Sequence, residues 1–237
     1  NPNIIMSDAD LDIAIPGVID GMRYTRQGQA CTAGSRVYIH EKIYDKVLEG
    51  AVEKLSKLKM GNALDEKSDI GAIISEEQLK RTLYYMDIAK KNSSTKILHG
   101  GNQSKGGEYK DGFYYQPTLL SGLPVSSLVC QEEVFGPVAC AIPFKSFDEV
   151  MKSANDTQFG LSAVLWTKDL SRALQFVDEI EAGFVQVNQC VAPRANVSYG
   201  GIKMSGLGKE YAFDSMMNHF TQSKTVLINR GKSNIDN

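Results

Sequence analysis

Gln27-Gly28-Gln29-Ala30-Cys31-Thr32-Ala33-Gly34-Ser35-Arg36 is a turn of small and polar residues with one thiol near its middle. It follows a helix-forming stretch at residues 11–23 and runs into residues 36–40, whose β-branched and aromatic side chains favour a strand. A cysteine kept for packing normally has apolar neighbours, whereas Cys31 stands among alanine, threonine, glutamine and glycine. A thiol on a tight, partly open turn leaves room for an incoming carbon centre. Backbone N–H groups beside it can receive that centre's oxygen, which is the arrangement nucleophilic catalysis needs. The competing reading, from composition alone, is a small inert thiol at a helix-to-strand turn.

The helix-then-strand alternation continues along the chain. Residues 3–6 are a short apolar run. Ser7-Asp8-Ala9-Asp10 reads as a cap for the helix at 11–23, and Pro16 is expected to kink that helix or delay its start. Residues 43–58 carry Ile43, Val47, Leu48, Ala51, Val52, Leu55 and Leu58 at helical spacing. A polar loop at 61–68 leads to an apolar stretch at 70–74 and a helix opening at Ser75. Residues 96–99 are a short strand, and residues 114–120 are extended. Between them, residues 100–112 hold five glycines and form a loop or an exposed β-hairpin. Strands at 138–144, 161–167 and 183–188 alternate with helices at 147–155 and 170–180. This order implies an α/β fold, a mainly parallel sheet with helices on both faces. Thr225-Val226-Leu227-Ile228-Asn229 reads as one more strand, which follows the last helix and need not join the main sheet.

Composition narrows the function. The chain has 237 residues, 42% hydrophobic and 23% charged, with a formal net charge of −2. That balance belongs to an ordinary globular protein long enough for a sizeable core. No basic stripe suggests nucleic acid, and no apolar run reaches the roughly 18 residues of a membrane span. No signal-peptide pattern is seen, and since the chain opens at Asn1 without a methionine it is expected to be a fragment. Cys31, Cys130, Cys140 and Cys190 form no CxxC pair, and with His40, His99 and His219 they give no metal-ligand spacing. Free thiols in a reducing compartment, and so a cytoplasmic location, are the expectation.

Three motifs carry a resemblance. The cysteine stretch from Gly28 to Arg36 resembles the active-site cysteine motif of the aldehyde dehydrogenase superfamily. Gln131-Glu132-Glu133-Val134-Phe135-Gly136-Pro137-Val138 resembles that family's Glu-Glu-x-Phe-Gly-Pro motif. Residues 198–210, beginning Ser198-Tyr199-Gly200-Gly201, resemble its Pro-Phe-Gly-Gly-x-Lys-x-Ser-Gly-x-Gly-Arg-Glu segment. Read alone, the glycines of the third motif suggest a phosphate cradle, but both templates fail. GxGxxG needs glycine at Tyr211, and a Walker A loop needs glycine at Lys203 and Ser or Thr at Glu210. The matches run in family order from Asn1 to about Asn229.

The resemblance implies roles residue by residue. Cys31 is the nucleophile. Glu133 and Phe135 hold the nicotinamide ribose of NAD or NADP, while Glu132 reads as a merely solvated acid. Ala30 and Thr32 flank the nucleophile, Asn188 lies at the base of the site, and Val191, Pro193 and Tyr199 face the substrate. These are mostly small groups and leave room for a bulky or aromatic aldehyde. Glu210 matches a glutamate that helps relay protons, and equally reads as a helix-start acid. Three positions depart from the pattern: Ser198 for Pro, Tyr199 for Phe and Lys209 for Arg. Lys209 lacks the guanidinium fork, so a looser salt bridge is expected there.

The implied domain organisation is a catalytic domain at 1–220 and an oligomerisation strand and tail at 221–237. The dinucleotide-binding half of the subunit and the catalytic glutamate belong to sequence preceding Asn1. The implied reaction is NAD(P)-dependent oxidation of an aldehyde through a Cys31 thiohemiacetal and thioester. The expected partners are the aldehyde, the missing half of the subunit and further copies of the chain, with no nucleic acid and no membrane. An ordinary thiol, with a pKa of about 8.5, is only a few per cent thiolate at neutral pH, and most of the implied activators lie outside the chain. Little dehydrogenase activity is therefore expected of the 237 residues alone. Two alternatives stand beside this reading. One is a cofactor-independent cysteine esterase or acyl-transfer module with His40 as base. The other is a non-catalytic association domain.

Overall fold

In the computed structural model, residues 1–229 are described. A seven-stranded sheet forms the centre, in the order β3-β4-β5-β2-β1-β7-β8. Its strands are β1 (Pro2–Ile5), β2 (Arg36–His40), β3 (Lys96–His99), β4 (Thr118–Ser121), β5 (Val138–Phe144), β7 (Ser162–Trp166) and β8 (Phe184–Val187). Every pairing is parallel except that of β3 with β4. A small antiparallel pair joins β6 (Phe159–Gly160) to β9 (Ile202–Lys203).

Parallel pairing demands crossovers, and these put helices on both faces. The strands sort their side chains with a period of two. Val138, Cys140 and Ile142 of β5 enter one core with Ile4 and Tyr38. Ala139 and Ala141 enter the other with Ile5, Val37 and Ile39. The first core is covered by α3 (Glu76–Lys91), α4 (Leu128–Gln131), α5 (Phe147–Asn155) and α6 (Leu170–Glu179). The second is covered by α1 (Leu11–Met22) and α2 (Tyr44–Ser56). A last helix, α7 (Phe213–Phe220), has no buried residue.

The expected α/β architecture is the one found. Some details differ. Pro16 lies inside α1 without delaying its start, because Asp10 caps the helix by accepting from the Asp12 N–H. The glycine-rich loop is partly a hairpin: the N–H groups of Ser104 and Gln116 donate to the carbonyls of Tyr114 and Asn102. The strand expected at 225–229 is absent from the chain's sheets, and residues 221–229 carry no helix or strand. Val226, Leu227 and Ile228 are 62%, 92% and 79% exposed, so the apolar side chains of this segment are not packed into either core. The rest of the expected tail, residues 230–237, lies outside the described residues.

Candidate active site

The cysteine turn connects α1 to β2, and its path depends on Gly28. That residue has φ +64°, and a Cβ there would run into the carbonyl of Gly136. Glycine therefore lets the first motif lie directly against the second. Two further contacts pin the turn. The Gly34 N–H donates to the Gly21 carbonyl at 2.8 Å. The Asn1 side-chain amide donates to the carbonyls of Cys31 and Ala33, each at 2.8 Å, while its oxygen accepts from the Ser162 N–H at 3.0 Å. Cys31 is exposed, and its own N–H and that of Thr32 donate to no acceptor among the described residues. Those two N–H groups are available to a developing negative charge.

The second motif is held by α3. Gln78 donates to the carbonyls of Val134 (3.0 Å) and Phe135 (2.7 Å), and Arg81 donates to that of Glu133 (2.6 Å). These bonds hold Phe135 at φ +55°, a conformation a bulky residue keeps only when its surroundings enforce it. The Glu133 carboxylate is exposed and makes no hydrogen bond to a side chain among the described residues. Glu132, expected to be merely solvated, instead accepts a 2.6 Å bond from the Tyr85 hydroxyl. Burial, then this bond, pushes the Tyr85 phenol up to about 12. Glu132 is thus a clamp between the motif and α3.

The third motif packs on the start of β8. A Cβ at Gly183 would collide with the Gly200 carbonyl, so the two backbones touch there. Lys209 forms no salt bridge among the described residues. Its ammonium donates to the carbonyls of Gly183 (3.1 Å) and Gly200 (2.7 Å), which corrects the expectation of a loosened ion pair. Tyr199 and Glu210 are joined by two backbone bonds of 2.9 and 2.7 Å. The Tyr199 ring meets Phe184 edge-on at 5.4 Å and Tyr211 at 5.7 Å, and its hydroxyl lies 3.2 Å from Cys31 Sγ. Burial, followed by the contact with Cys31, raises the Tyr199 phenol well above its ordinary range.

Ala30, Cys31, Glu133 and Phe135 line one cavity of about 250 Å³, closed on another side by Met204 and Ser205. Its walls also include Pro2, Arg36, Val138 and Ser162, which stand at the amino ends of β1, β2, β5 and β7. Open parallel sheets usually bind ligands outside the carboxyl ends of their strands. Here the site lies at the opposite edge.

Not every expected residue reaches this cavity. Thr32 is half-buried on the turn, outside the lining. Asn188 turns its amide onto Thr167, donating to its carbonyl at 2.8 Å and accepting from its N–H at 3.0 Å, so it serves a turn rather than the cavity. Val191 and Pro193 lie on the loop after β8, where Arg23 donates to the Val191 carbonyl at 3.2 Å. Glu210 is exposed and reaches the site only through its pairing with Tyr199. His40 is at the carboxyl end of β2, where its Nδ1 accepts from the Lys42 N–H. Four strand steps of about 3.3 Å separate it from the cysteine edge, roughly 13 Å. No histidine hydrogen-bonds Cys31 among the described residues.

Asn1, Gln78 and Arg81 were not singled out by sequence, and no local signal marks them. Gln78 is 57 residues from the carbonyl of Phe135 that it holds. Arg36 is also structural: buried, it donates to the carbonyls of Ser153 (3.2 Å) and Ala154 (2.9 Å) at the end of α5. Among the described residues there is no group of three or more His, Cys, Asp or Glu placed to hold a metal ion, and all four cysteines are free. No described helix is long and apolar enough to cross a membrane.

Fold and site together define an α/β domain with an exposed cysteine turn beside a ligand-sized cavity. The sequence model of the aldehyde dehydrogenase family matches residues 1–226. The chain belongs to the aldehyde dehydrogenase family. It is 38% identical over 234 residues to an aldehyde dehydrogenase of Rhodospirillum rubrum, covering 96% of this chain and 46% of the relative. It is 35% identical over 232 residues to a betaine aldehyde dehydrogenase of Brucella melitensis, covering 98% and 47%. An aldehyde dehydrogenase from Bacillus cereus, solved as its NAD⁺ complex, superposes with a TM-score of 0.91 at 33% identity, over 98% of this chain and 46% of that one. A betaine aldehyde dehydrogenase from Staphylococcus aureus in complex with NAD⁺ gives 0.88 at 33% identity, over 92% and 43%. The chain thus spans about half the length of the curated relatives it matches.

Proposed function

We propose that this chain is the nucleophile-bearing half of an NAD(P)-dependent aldehyde dehydrogenase, with Cys31 as the attacking group. One observation carries the reading. Cys31, with an unengaged N–H, shares a cavity with the carboxylate of Glu133 and the ring of Phe135.

The dinucleotide fits these residues. An exposed carboxylate accepts hydrogen bonds from paired ribose hydroxyls, and a rigidly held aromatic ring offers a flat apolar face. Glu133 and Phe135 would hold that end of it. When bound, the dinucleotide supplies the hydride acceptor. This chain supplies the nucleophile and a backbone donor for the oxyanion. The Cys31 thiolate adds to the aldehyde carbon, and the N–H of Cys31 receives the resulting oxyanion. Cys31 next carries the acyl group as a thioester, which water cleaves to the carboxylic acid, returning the thiol. Glu210, exposed beside Tyr199, is the residue for proton relay, while Ala30, Thr32, Val191 and Pro193 shape the approach of the aldehyde. Residues 225–229 serve association, adding a strand to a neighbouring copy, and the protein works in the cytoplasm.

The esterase alternative loses its base, since His40 stands at the far edge of the sheet. The test is aldehyde-dependent formation of reduced nicotinamide by the full-length protein that carries this chain. Glu133→Ala should raise the KM for the dinucleotide about tenfold, the scale of a lost hydrogen bond to a charged group, with a smaller change in the KM for aldehyde. Turnover of aldehyde without any dinucleotide, or an unchanged KM in the variant, would contradict the assignment.

A further inference from the structure

The Tyr199 hydroxyl lies 3.2 Å from Cys31 Sγ, the hydrogen-bond range for sulfur, and no other side chain hydrogen-bonds that sulfur among the described residues. The ring is held at this place from several sides. Its backbone is tied to Glu210 on both sides, and it is wedged edge-on between Phe184 and Tyr211. The turn that carries Cys31 is held as firmly by Asn1 and Gly21. Two independently fixed elements therefore bring a hydroxyl to the nucleophile, at the position where the family motif has a phenylalanine that offers none.

We infer that Tyr199 is a catalytic residue in its own right, its hydroxyl donating a hydrogen bond to the Cys31 sulfur and holding it as the thiolate. The thiol proton passes to water. The tyrosine keeps its own proton throughout, in line with the raised phenol described above. A donor on a thiolate has two opposed effects. It increases the fraction ionised, and it withdraws charge from the sulfur and so lowers the reactivity of each thiolate. A hydrogen bond to a charged group changes ionisation by about tenfold. Nucleophilicity falls with roughly the half power of that change, about threefold. At neutral pH the bond thus gives a net gain of about threefold. Where the thiol is fully ionised it gives a loss of about the same size. The inference rests on Cys31 being the nucleophile of the proposed reaction, but its test needs neither aldehyde nor dinucleotide.

The experiment is carboxamidomethylation of the full-length protein that carries this chain by iodoacetamide across a pH series, with the label on the Cys31 peptide followed by mass spectrometry. Tyr199→Phe keeps the ring and its contacts and removes only the hydroxyl. Labelling of Cys31 in this variant should be about threefold slower at neutral pH and about threefold faster at strongly alkaline pH, so that the two profiles cross. Tyr211→Phe, which removes a neighbouring hydroxyl, should leave the wild-type profile intact. Ultraviolet thiolate absorbance, taken as a difference against Cys31→Ser, gives a second reading, in which the titration of Tyr199→Phe should lie at higher pH. A change of the same sign at both ends of the pH range marks a loosened turn rather than a lost donor and overturns the inference. Coincident profiles overturn it equally.

Discussion

Replacing Cys31 by serine is expected to lower aldehyde-dependent nicotinamide reduction by the full-length protein about a thousandfold or more, the scale seen when a catalytic nucleophile is removed. The reason is chemical rather than architectural. A serine hydroxyl is not ionised at neutral pH, and no histidine hydrogen-bonds Cys31 among the described residues to activate it. The side chain is exposed, so its removal leaves both cores untouched. The variant should therefore unfold at the wild-type temperature. It should also retain dinucleotide binding, because Glu133 and Phe135 are held by Gln78 and Arg81 rather than by the cysteine turn. Equal turnover by Cys31→Ser and wild type would remove the cysteine from the mechanism.

Trp166→Ala is expected to have the largest effect on stability, a loss of about 4 kcal/mol. The indole, 3% exposed in the second core, ends β7 and packs over Gly17 of α1. Its Nε1 donates at 2.7 Å to Oδ1 of Asn3, a fully buried carboxamide in β1 whose Nδ2 reaches the Gly17 carbonyl. Removing the ring opens a cavity and also leaves a buried acceptor without its donor, and the two costs add. For a domain of this size the melting temperature should fall by about 10 °C, measured by circular dichroism. Trp166→Phe, which fills most of the space but cannot donate, should lie between the two. A melting temperature unchanged in Trp166→Ala would contradict the core assignment.

Much of the fold was legible because it depends on local pattern. The alternation of Val138, Cys140 and Ile142 with Ala139 and Ala141 announces a strand buried on both faces, and Ser75 and Asp10 cap their helices as their residue types dictate. What escaped depends on distant pairing. Glu132 reads as a solvated acid until α3 brings Tyr85 to it across 47 residues. The pairing of β6 with β9 joins two-residue strands too short to leave any periodicity. Residues 225–229 have strand-forming composition, but composition does not decide pairing, and the segment joins neither of the chain's described sheets.

The site was legible in a different way. Cys31, Glu133, Phe135 and Tyr199 were named from three separated motifs, and folding gathers them at the amino ends of the parallel strands. The usual carboxyl-end rule would direct a search to the opposite ends of these strands. Asn188 is placed by the motif at the base of the site, while its side-chain amide hydrogen-bonds Thr167 from both its oxygen and its nitrogen. Asn1 shows the converse. It holds the carbonyls of Cys31 and Ala33, yet nothing in its own sequence context distinguishes it from any loop asparagine.

The central claim is that Cys31 becomes covalently acylated during aldehyde oxidation, and acid-quench mass spectrometry tests it most directly. The full-length protein is mixed with aldehyde and NAD⁺, quenched in acid during turnover, digested and mapped. An acyl mass on the peptide containing Cys31, absent when either aldehyde or NAD⁺ is withheld, is the predicted result. Steady turnover with that peptide unmodified, or with the acyl group on Cys130, Cys140 or Cys190 instead, would contradict it.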